Sequence, residues 1–203
     1  MPSALRGEAQ FLMDIAADPK FARDLIAICV EYEIEAVKMA IKEGAEVIVL
    51  GDDYAHRSGP FMSPDIFSEL FLPGIDRIVK TVKDHDAYCV KHCCGNIWKL
   101  IDMFISTGID GLHPLEPKAS MDIGAVKERY GEKLCLIGNV DCSEVLTHKD
   151  VQDVIDETKR CIDLGGVDGG HILSSSNTIH SSVDPDNYKA MLKTLMDYGI
   201  YSA

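Results

Sequence analysis

Five short apolar runs alternate along the chain with longer amphipathic stretches. The runs cover residues 46–50, 87–91, 109–112, 133–137 and 169–173. Continuous apolar runs of this length are typical of parallel strands that are buried on both faces. The pattern therefore predicts an α/β fold in which five strand–helix units are joined by right-handed crossovers.

Helix starts are marked by a capping side chain followed by proline, at Asp18-Pro19, Ser63-Pro64 and Asp184-Pro185. A further short helix is expected over residues 8–16. In the helix that follows Pro19, apolar residues recur every three or four positions, at Phe21, Leu25, Ile28, Tyr32, Ala36 and Met39. This stripe predicts the face of the helix that packs on the core.

Two architectures accommodate such an alternation, an open doubly wound sheet and a TIM (β/α)8 barrel. A doubly wound nucleotide-binding domain carries a glycine-rich loop after its first strand, whereas Gly51-Asp52-Asp53 stands there in this chain. A barrel gathers its functional groups at the carboxyl ends of several strands, and polar residues follow all five runs. We therefore predict a partial TIM barrel made of the C-terminal five β/α units with an N-terminal helical segment.

Residues 1–203 are expected to form a single domain. Five strands cannot close an eight-stranded barrel, and open sheet edges promote association. We expect either a homo-oligomer or a complementing N-terminal barrel half to cover them.

The formal net charge of -13 disfavours nucleic acids and anionic membranes as partners, because both attract basic surfaces. No apolar run approaches the ~20 residues of a membrane helix, and the N-terminus does not resemble a signal peptide. The seven cysteines are odd in number and form no CxxC framework, which favours a reducing cytoplasm over a disulfide-bonded protein. A small-molecule substrate is the expected ligand.

His92 and Cys94 are the candidate metal ligands. They are two residues apart at a strand end, so their side chains are expected on the same side, where an imidazole and a thiolate can bind Zn²⁺. The alternative is a polar histidine beside an inert, buried cysteine. Glu116, held between prolines in His113-Pro114-Leu115-Glu116-Pro117, is a candidate third ligand, general base or substrate anchor, with a salt bridge or helix cap as the alternative.

Three aspartates follow predicted strands. We assign catalytic roles to Asp53 and Asp141, together with Glu116, and a substrate-binding role to Asp52. Capping of the next helix is the alternative for each aspartate. Because adjacent side chains of an extended segment alternate, only one of Asp52 and Asp53 is expected to face the cleft.

Four further residues are candidate substrate contacts. Arg57 is suited to holding a carboxylate, and Asn139 and Asn177 offer neutral hydrogen bonds. His180 lies in a loop before a helix, where a solvated histidine is the alternative.

These strand ends resemble the C-terminal part of the uroporphyrinogen decarboxylase (URO-D) superfamily, which includes zinc-dependent methyltransferases that act with methylcobamide and coenzyme M. The resemblance rests on the segments Gly51-Asp52-Asp53, Ser58-Gly59-Pro60-Phe61-Met62-Ser63-Pro64, His92-Cys93-Cys94-Gly95-Asn96, His113-Pro114-Leu115-Glu116-Pro117, Gly138-Asn139-Val140-Asp141 and His171-Ile172-Leu173-Ser174. It implies a (β/α)8 barrel of which about three strands lie outside this chain.

The resemblance is uneven at the site. His92-Cys93-Cys94-Gly95 is similar to the His-x-Cys-Gly motif of the methyltransferases, but their later cysteine falls at Asn177, so Glu116 or His180 would have to be the third ligand. Gly138-Asn139-Val140-Asp141 resembles the decarboxylase segment Gly-Asn-Leu-Asp, and the later decarboxylase histidine also falls at Asn177.

Three functions remain open. The leading one is a divergent, zinc-dependent methyltransferase that acts on a small methylated compound or a corrinoid protein, with methylcobamide as substrate or partner-borne cofactor. The second is a uroporphyrinogen decarboxylase of porphyrin biosynthesis, in which Arg57 holds a carboxylate and Asp53 stabilises a protonated pyrrole. The third is a non-catalytic half-barrel that serves assembly.

Overall fold

Five of the strands form one parallel sheet in the order β1-β4-β5-β6-β7, in a computed structural model that describes residues 2–200. The strands are β1 (Val47–Leu50), β2 (Ala55–His56), β3 (Gly59–Pro60), β4 (Tyr88–His92), β5 (Gly111–His113), β6 (Cys135–Val140) and β7 (His171–Ser175). The helices are α1 (Pro2–Arg6), α2 (Glu8–Ala17), α3 (Pro19–Lys42), α4 (Pro64–Leu70), α5 (Leu72–Lys83), α6 (Ile101–Ser106), α7 (Ile123–Tyr130), α8 (Val145–His148), α9 (Val151–Gly165) and α10 (Pro185–Tyr198). The predicted partial barrel of five β/α units is confirmed.

The register of the sheet places the strand ends side by side. Val90 of β4 pairs with Gly111 of β5, and His92 pairs with His113. Because all five strands are parallel, their carboxyl ends meet at one edge of the sheet, and the polar segments that follow them are brought together there.

A short antiparallel hairpin of β2 and β3 follows β1, with Ala55 opposite Pro60. The sequence analysis did not predict it, because strands of two residues carry no readable periodicity. The hairpin matters for the site, since the segment after β4 packs against it: the amide of Asn96 donates a hydrogen bond to the carbonyl of His56 (2.9 Å).

The predicted core-facing stripe of α3 is wrong for most of its residues, although Leu25 does pack against the core. Ile28 is 65% exposed and Tyr32 is 73% exposed, and Phe21 and Met39 also lie at the surface. The buried face of the helix is formed instead by Ala22, Ile26, Cys29, Val30, Ile34 and Val37.

Close packing against α5 explains which face of α3 is buried. A Cβ added at Gly74 of α5 would lie 2.6 Å from Cγ2 of Val30, so the two helices approach at a glycine. Both sides of α3 carry periodic apolar residues, and periodicity alone does not show which side meets this glycine.

One face of the sheet is apolar and open to solvent. Val47, Val49, Tyr88 and Ile172 are all exposed, and the strand register places them on the same face. In a closed barrel this face would point to the centre. Separately, no helix within residues 2–200 has the length and apolar character needed to cross a membrane.

Candidate active site

Three side chains that could hold a metal ion converge at the carboxyl end of the sheet. Asp53 follows β1, His92 ends β4 and Cys94 follows it, and one donor atom from each lies within 4.8 Å of the others. His92 Nε2 is 3.4 Å from Cys94 Sγ and 3.7 Å from Asp53 Oδ1. Donor atoms of a tetrahedral zinc site lie roughly 3.3–3.8 Å apart, given its bond lengths. The residues therefore fit a zinc ion with three protein ligands.

The turn after β1 brings Asp53 to this cluster. Asp52 has a φ of 76°, which interrupts the alternation of an extended chain. Both aspartates line a cavity of about 250 Å³, while Asp53 is the one of the two that belongs to the donor cluster. The backbone amide of Cys94 donates a hydrogen bond to Asp53 Oδ1 (2.7 Å) and ties the two strand ends together.

His113 supports His92 from the neighbouring strand. The Nδ1 atoms of the two rings are 2.6 Å apart, so one ring donates and the other accepts. Burial lowers the pKa of His92, and burial together with the His92 ring lowers the pKa of His113 to about 4, so both rings are neutral at pH 7. When Nδ1 of His92 donates to His113, its Nε2 lone pair faces Asp53 and Cys94, which is the usual arrangement around a metal-binding histidine.

Cys94 is a protonated thiol when no metal is bound. Burial raises its pKa to about 12, and the carboxylates of Asp53 and Glu116 add to the effect. Asn177 opposes this shift, because its Nδ2 donates to Cys94 Sγ at 3.2 Å. Asn177 thus lies beside Cys94, where the resemblance places the later cysteine of the methyltransferases, but it offers an amide donor in place of a thiolate.

Neither Glu116 nor His180 belongs to the donor cluster, in which Asp53 is the third residue. Glu116 Oε2 accepts a hydrogen bond from the Gly95 amide (3.1 Å), and Oε1 lies 3.7 Å from Nε of Arg57. His180 is exposed and its Nδ1 accepts from the Ser182 amide (3.3 Å).

The side chains of Asn139 and Asp141 are buried and form hydrogen bonds with backbone groups. Asn139 Nδ2 donates to the carbonyls of Leu115 (2.8 Å) and Met121 (3.1 Å). Asp141 Oδ1 accepts from the amides of Ser143 (2.7 Å) and Glu144 (3.1 Å) in the turn before α8, and the N-cap of that helix is Glu144. Neither Asn139 nor Asp141 belongs to the donor cluster.

A cavity of about 250 Å³ adjoins the cluster through Asp53. Its acidic residues are Glu8, Asp52 and Asp53, and its apolar walls include Phe11 and Phe61. Burial raises the pKa of Asp52. The cavity has room for a small molecule beside Asp53, the member of the donor cluster that lines it.

The sequence analysis missed two roles at the site, the contact of His113 with His92 and the place of Asp53 among the metal donors. Histidines that directly follow two successive predicted strands were a signal for the first, since neighbouring parallel strands align such positions. The second depends on the left-handed turn at Asp52, for which the sequence offers no comparable signal.

Known proteins are similar to this chain in sequence and in fold. The chain is 25% identical over 174 residues to methylcobamide:CoM methyltransferase MtbA from Methanosarcina acetivorans, which covers 86% of the chain and 48% of MtbA. It is 22% identical over 188 residues to uroporphyrinogen decarboxylase from Thioalkalivibrio sulfidiphilus, covering 90% and 50%. The chain thus spans about half the length of these curated relatives.

A solved structure described as a methyltransferase from Methanosarcina mazei superposes with a TM-score of 0.82 at 24% identity, over 98% of this chain and 56% of that one. This likeness establishes the fold. The family model for uroporphyrinogen decarboxylase (URO-D) matches residues 2–198. The chain belongs to the uroporphyrinogen decarboxylase family.

Proposed function

We propose that this chain carries the zinc site of a methyltransferase that moves a methyl group from a methylated corrinoid to a thiol. The observation that supports it most is the convergence of Asp53, His92 and Cys94 within 4.8 Å. The similarity to MtbA, named as a methylcobamide:CoM methyltransferase, supports the same reaction class. Relatives in this family are named as decarboxylases or methyltransferases.

Zinc held by these three residues would leave a coordination position for a thiol substrate and lower the pKa of that thiol. The chain's own groups prepare the site. His113 holds His92 in the orientation that leaves Nε2 free, and the Cys94 amide orients Asp53. Asn177 donates to Cys94 Sγ and thereby favours the thiolate form that binds metal.

Methyl transfer from the corrinoid to the thiol needs no external oxidant or reductant. The carbon–cobalt bond breaks and a carbon–sulfur bond forms. Cobalt keeps the bonding electron pair as cob(I)alamin, and the thiol releases its proton. We place this reaction in the cytoplasm, where a reducing environment keeps Cys94 available, with the corrinoid free or carried by a partner protein.

The complete reaction requires more of the barrel than this chain contains. The sheet face with Val47, Val49, Tyr88 and Ile172 is exposed, which favours a complementing N-terminal barrel half, or a second copy of the chain, as a structural partner. A purely assembling role for the chain is less supported, because assembly does not require three convergent metal donors.

Decarboxylation of a porphyrinogen is also less supported. Its substrate carries many carboxylates, whereas the cavity beside Asp53 is lined by Asp52 and Glu8. Arg57, the residue expected to hold a substrate carboxylate, lies beside Glu116.

The test is a spectroscopic assay of the zinc-loaded chain, alone and with the N-terminal half of a related barrel, using methylcobalamin and 2-mercaptoethanesulfonate. When the N-terminal half is present, we expect conversion of methylcobalamin to cob(I)alamin, lost in Cys94→Ser and kept in His148→Ala, which replaces an exposed histidine outside the donor cluster. Equal rates with and without zinc, or turnover of uroporphyrinogen instead, would reject the proposal.

A further inference from the structure

Lys91 is a buried cation beside the candidate metal site. It is the β4 residue before His92, and only 1% of its surface is exposed. Its Nζ donates to the backbone carbonyls of Gly51 and Asp52, the latter at 2.9 Å. The ammonium also lies over the rings of Tyr54 (4.9 Å to the centroid) and Phe104 (5.8 Å).

Burying an ammonium group in this position costs free energy, because the group loses its hydration. Burial lowers the pKa of Lys91, because desolvation disfavours the charged form. Its direct partners are backbone oxygens and aromatic faces, which offset the cost only in part. An apolar side chain of similar length would avoid the cost, so the contacts that the ammonium makes need an explanation.

Those contacts hold the turn that carries Asp53. The carbonyls of two successive residues, Gly51 and Asp52, point at the same Nζ, which an extended strand does not permit. The positive φ of Asp52 makes this possible. The ammonium therefore stabilises a backbone conformation that is unfavourable for aspartate by itself.

Two residues that follow Lys91 also contact this turn. The Tyr54 amide donates to Cys93 Sγ (3.3 Å), and the Cys94 amide donates to Asp53 Oδ1 (2.7 Å). Of these contacts, only those of Lys91 fix the backbone immediately before Asp53.

We propose that Lys91 is a positioning residue that clamps the turn after β1 and thereby places Asp53 among the metal donors. The inference rests on the proposed metal site but not on methyl transfer. Without the ammonium, the carbonyls of Gly51 and Asp52 would turn toward other partners, and Asp53 would lose its alignment with His92 and Cys94.

The test is a double-mutant cycle read out by zinc affinity of the full 203-residue chain, measured by competition with a chromophoric chelator. Lys91→Met should weaken zinc binding about tenfold or more, the usual effect of losing a supporting contact around a ligand. Asp53→Asn should weaken it as well. The double variant should bind zinc no more weakly than Asp53→Asn, because Lys91 acts through Asp53.

The outcomes separate the two proposals. If the wild-type chain binds no zinc, the proposed metal site and the proposed role of Lys91 are both rejected. If the wild type binds zinc and Lys91→Met binds it equally well, only the proposal for Lys91 is overturned. The same holds if the effects of the two substitutions on the free energy of zinc binding are additive. Far-ultraviolet circular dichroism checks the fold of each variant.

A wild-type measurement keeps the inference testable if Lys91→Met does not fold. In a chain with ¹⁵N-labelled lysine side chains, zinc should shift the Nζ resonance of Lys91, and the shift should vanish in Asp53→Asn. A Lys91 resonance that zinc leaves unchanged would overturn the clamp.

Discussion

His92 and His113 end neighbouring parallel strands with their Nδ1 atoms 2.6 Å apart. The register of β4 and β5 pairs the two residues directly, so the contact is built into the sheet. Because both rings are neutral at pH 7, one Nδ1 donates and the other accepts, and the arrangement can hold His92 Nε2 toward the metal donors.

Removing this support should weaken metal binding while the ligands remain. We expect His113→Ala to lower zinc affinity roughly 10- to 100-fold, the range found when the partner of a metal-binding histidine is lost. A chelator-competition titration measures the change, and His148→Ala is the matched control. Identical affinities of His113→Ala and the wild type would contradict a supporting role for His113.

Asn177 offers a gain-of-binding test. Its Nδ2 is 3.2 Å from Cys94 Sγ, so a thiolate at position 177 would join the donor cluster. We expect Asn177→Cys to bind zinc about tenfold more tightly, because zinc favours thiolate ligands, while Asn177→Ser does not. The Co²⁺-loaded variant should show stronger thiolate-to-metal absorption. Unchanged affinity and absorption would place residue 177 too far from the metal.

Gly95 should be intolerant of any side chain. A Cβ at this position would lie 2.5 Å from the backbone oxygen of Ala55, whereas a Cβ at Gly108, whose φ is nearly the same, meets nothing within 4 Å. Gly108→Ala should therefore cost about 1–2 kcal/mol for its left-handed conformation. Gly95→Ala should cost at least about 3 kcal/mol, because backbone must also shift.

Urea unfolding of the two glycine variants measures this difference in the free energy of unfolding. Equal destabilisation would show that the hairpin and the segment after β4 are not in close contact.

The affinity for zinc should depend on pH, in a direction that the pKa values of the candidate ligands determine. The raised pKa of Cys94, about 12, means that its proton must leave when zinc binds, whereas the lowered pKa of His92 leaves its ring neutral already at pH 7. Zinc affinity should therefore rise about tenfold per pH unit between roughly pH 7 and 8. Titrations in buffers of different ionisation enthalpy count the released protons, and an affinity independent of pH would exclude Cys94 as a ligand.

The sequence is sufficient to predict much of this fold. The strands of this parallel sheet are apolar on both faces, although one face is open to solvent, so all five strands and their polar ends could be located from their apolar runs. The period of two along a strand also placed His92 and Cys94 on the same side, and the 3.4 Å distance between their donor atoms confirms that prediction.

The remainder depends on contacts that local patterns do not encode. Asp53 reaches the donors only through the turn at Asp52, which Lys91 holds from a strand about 40 residues later. The buried face of α3 depends on the glycine of α5 that it meets. Asn139 lies near the carboxyl end of β6, but its side-chain amide donates to a backbone carbonyl in the core.

The most direct test of the account is zinc analysis of the wild-type chain purified without chelators, beside Cys94→Ser and His148→Ala. Three convergent donors predict about one equivalent of zinc per wild-type chain, a similar amount in His148→Ala and a large loss in Cys94→Ser. Zinc below about a tenth of an equivalent in the wild type, even after zinc is supplied and the excess removed, would contradict the proposed metal site.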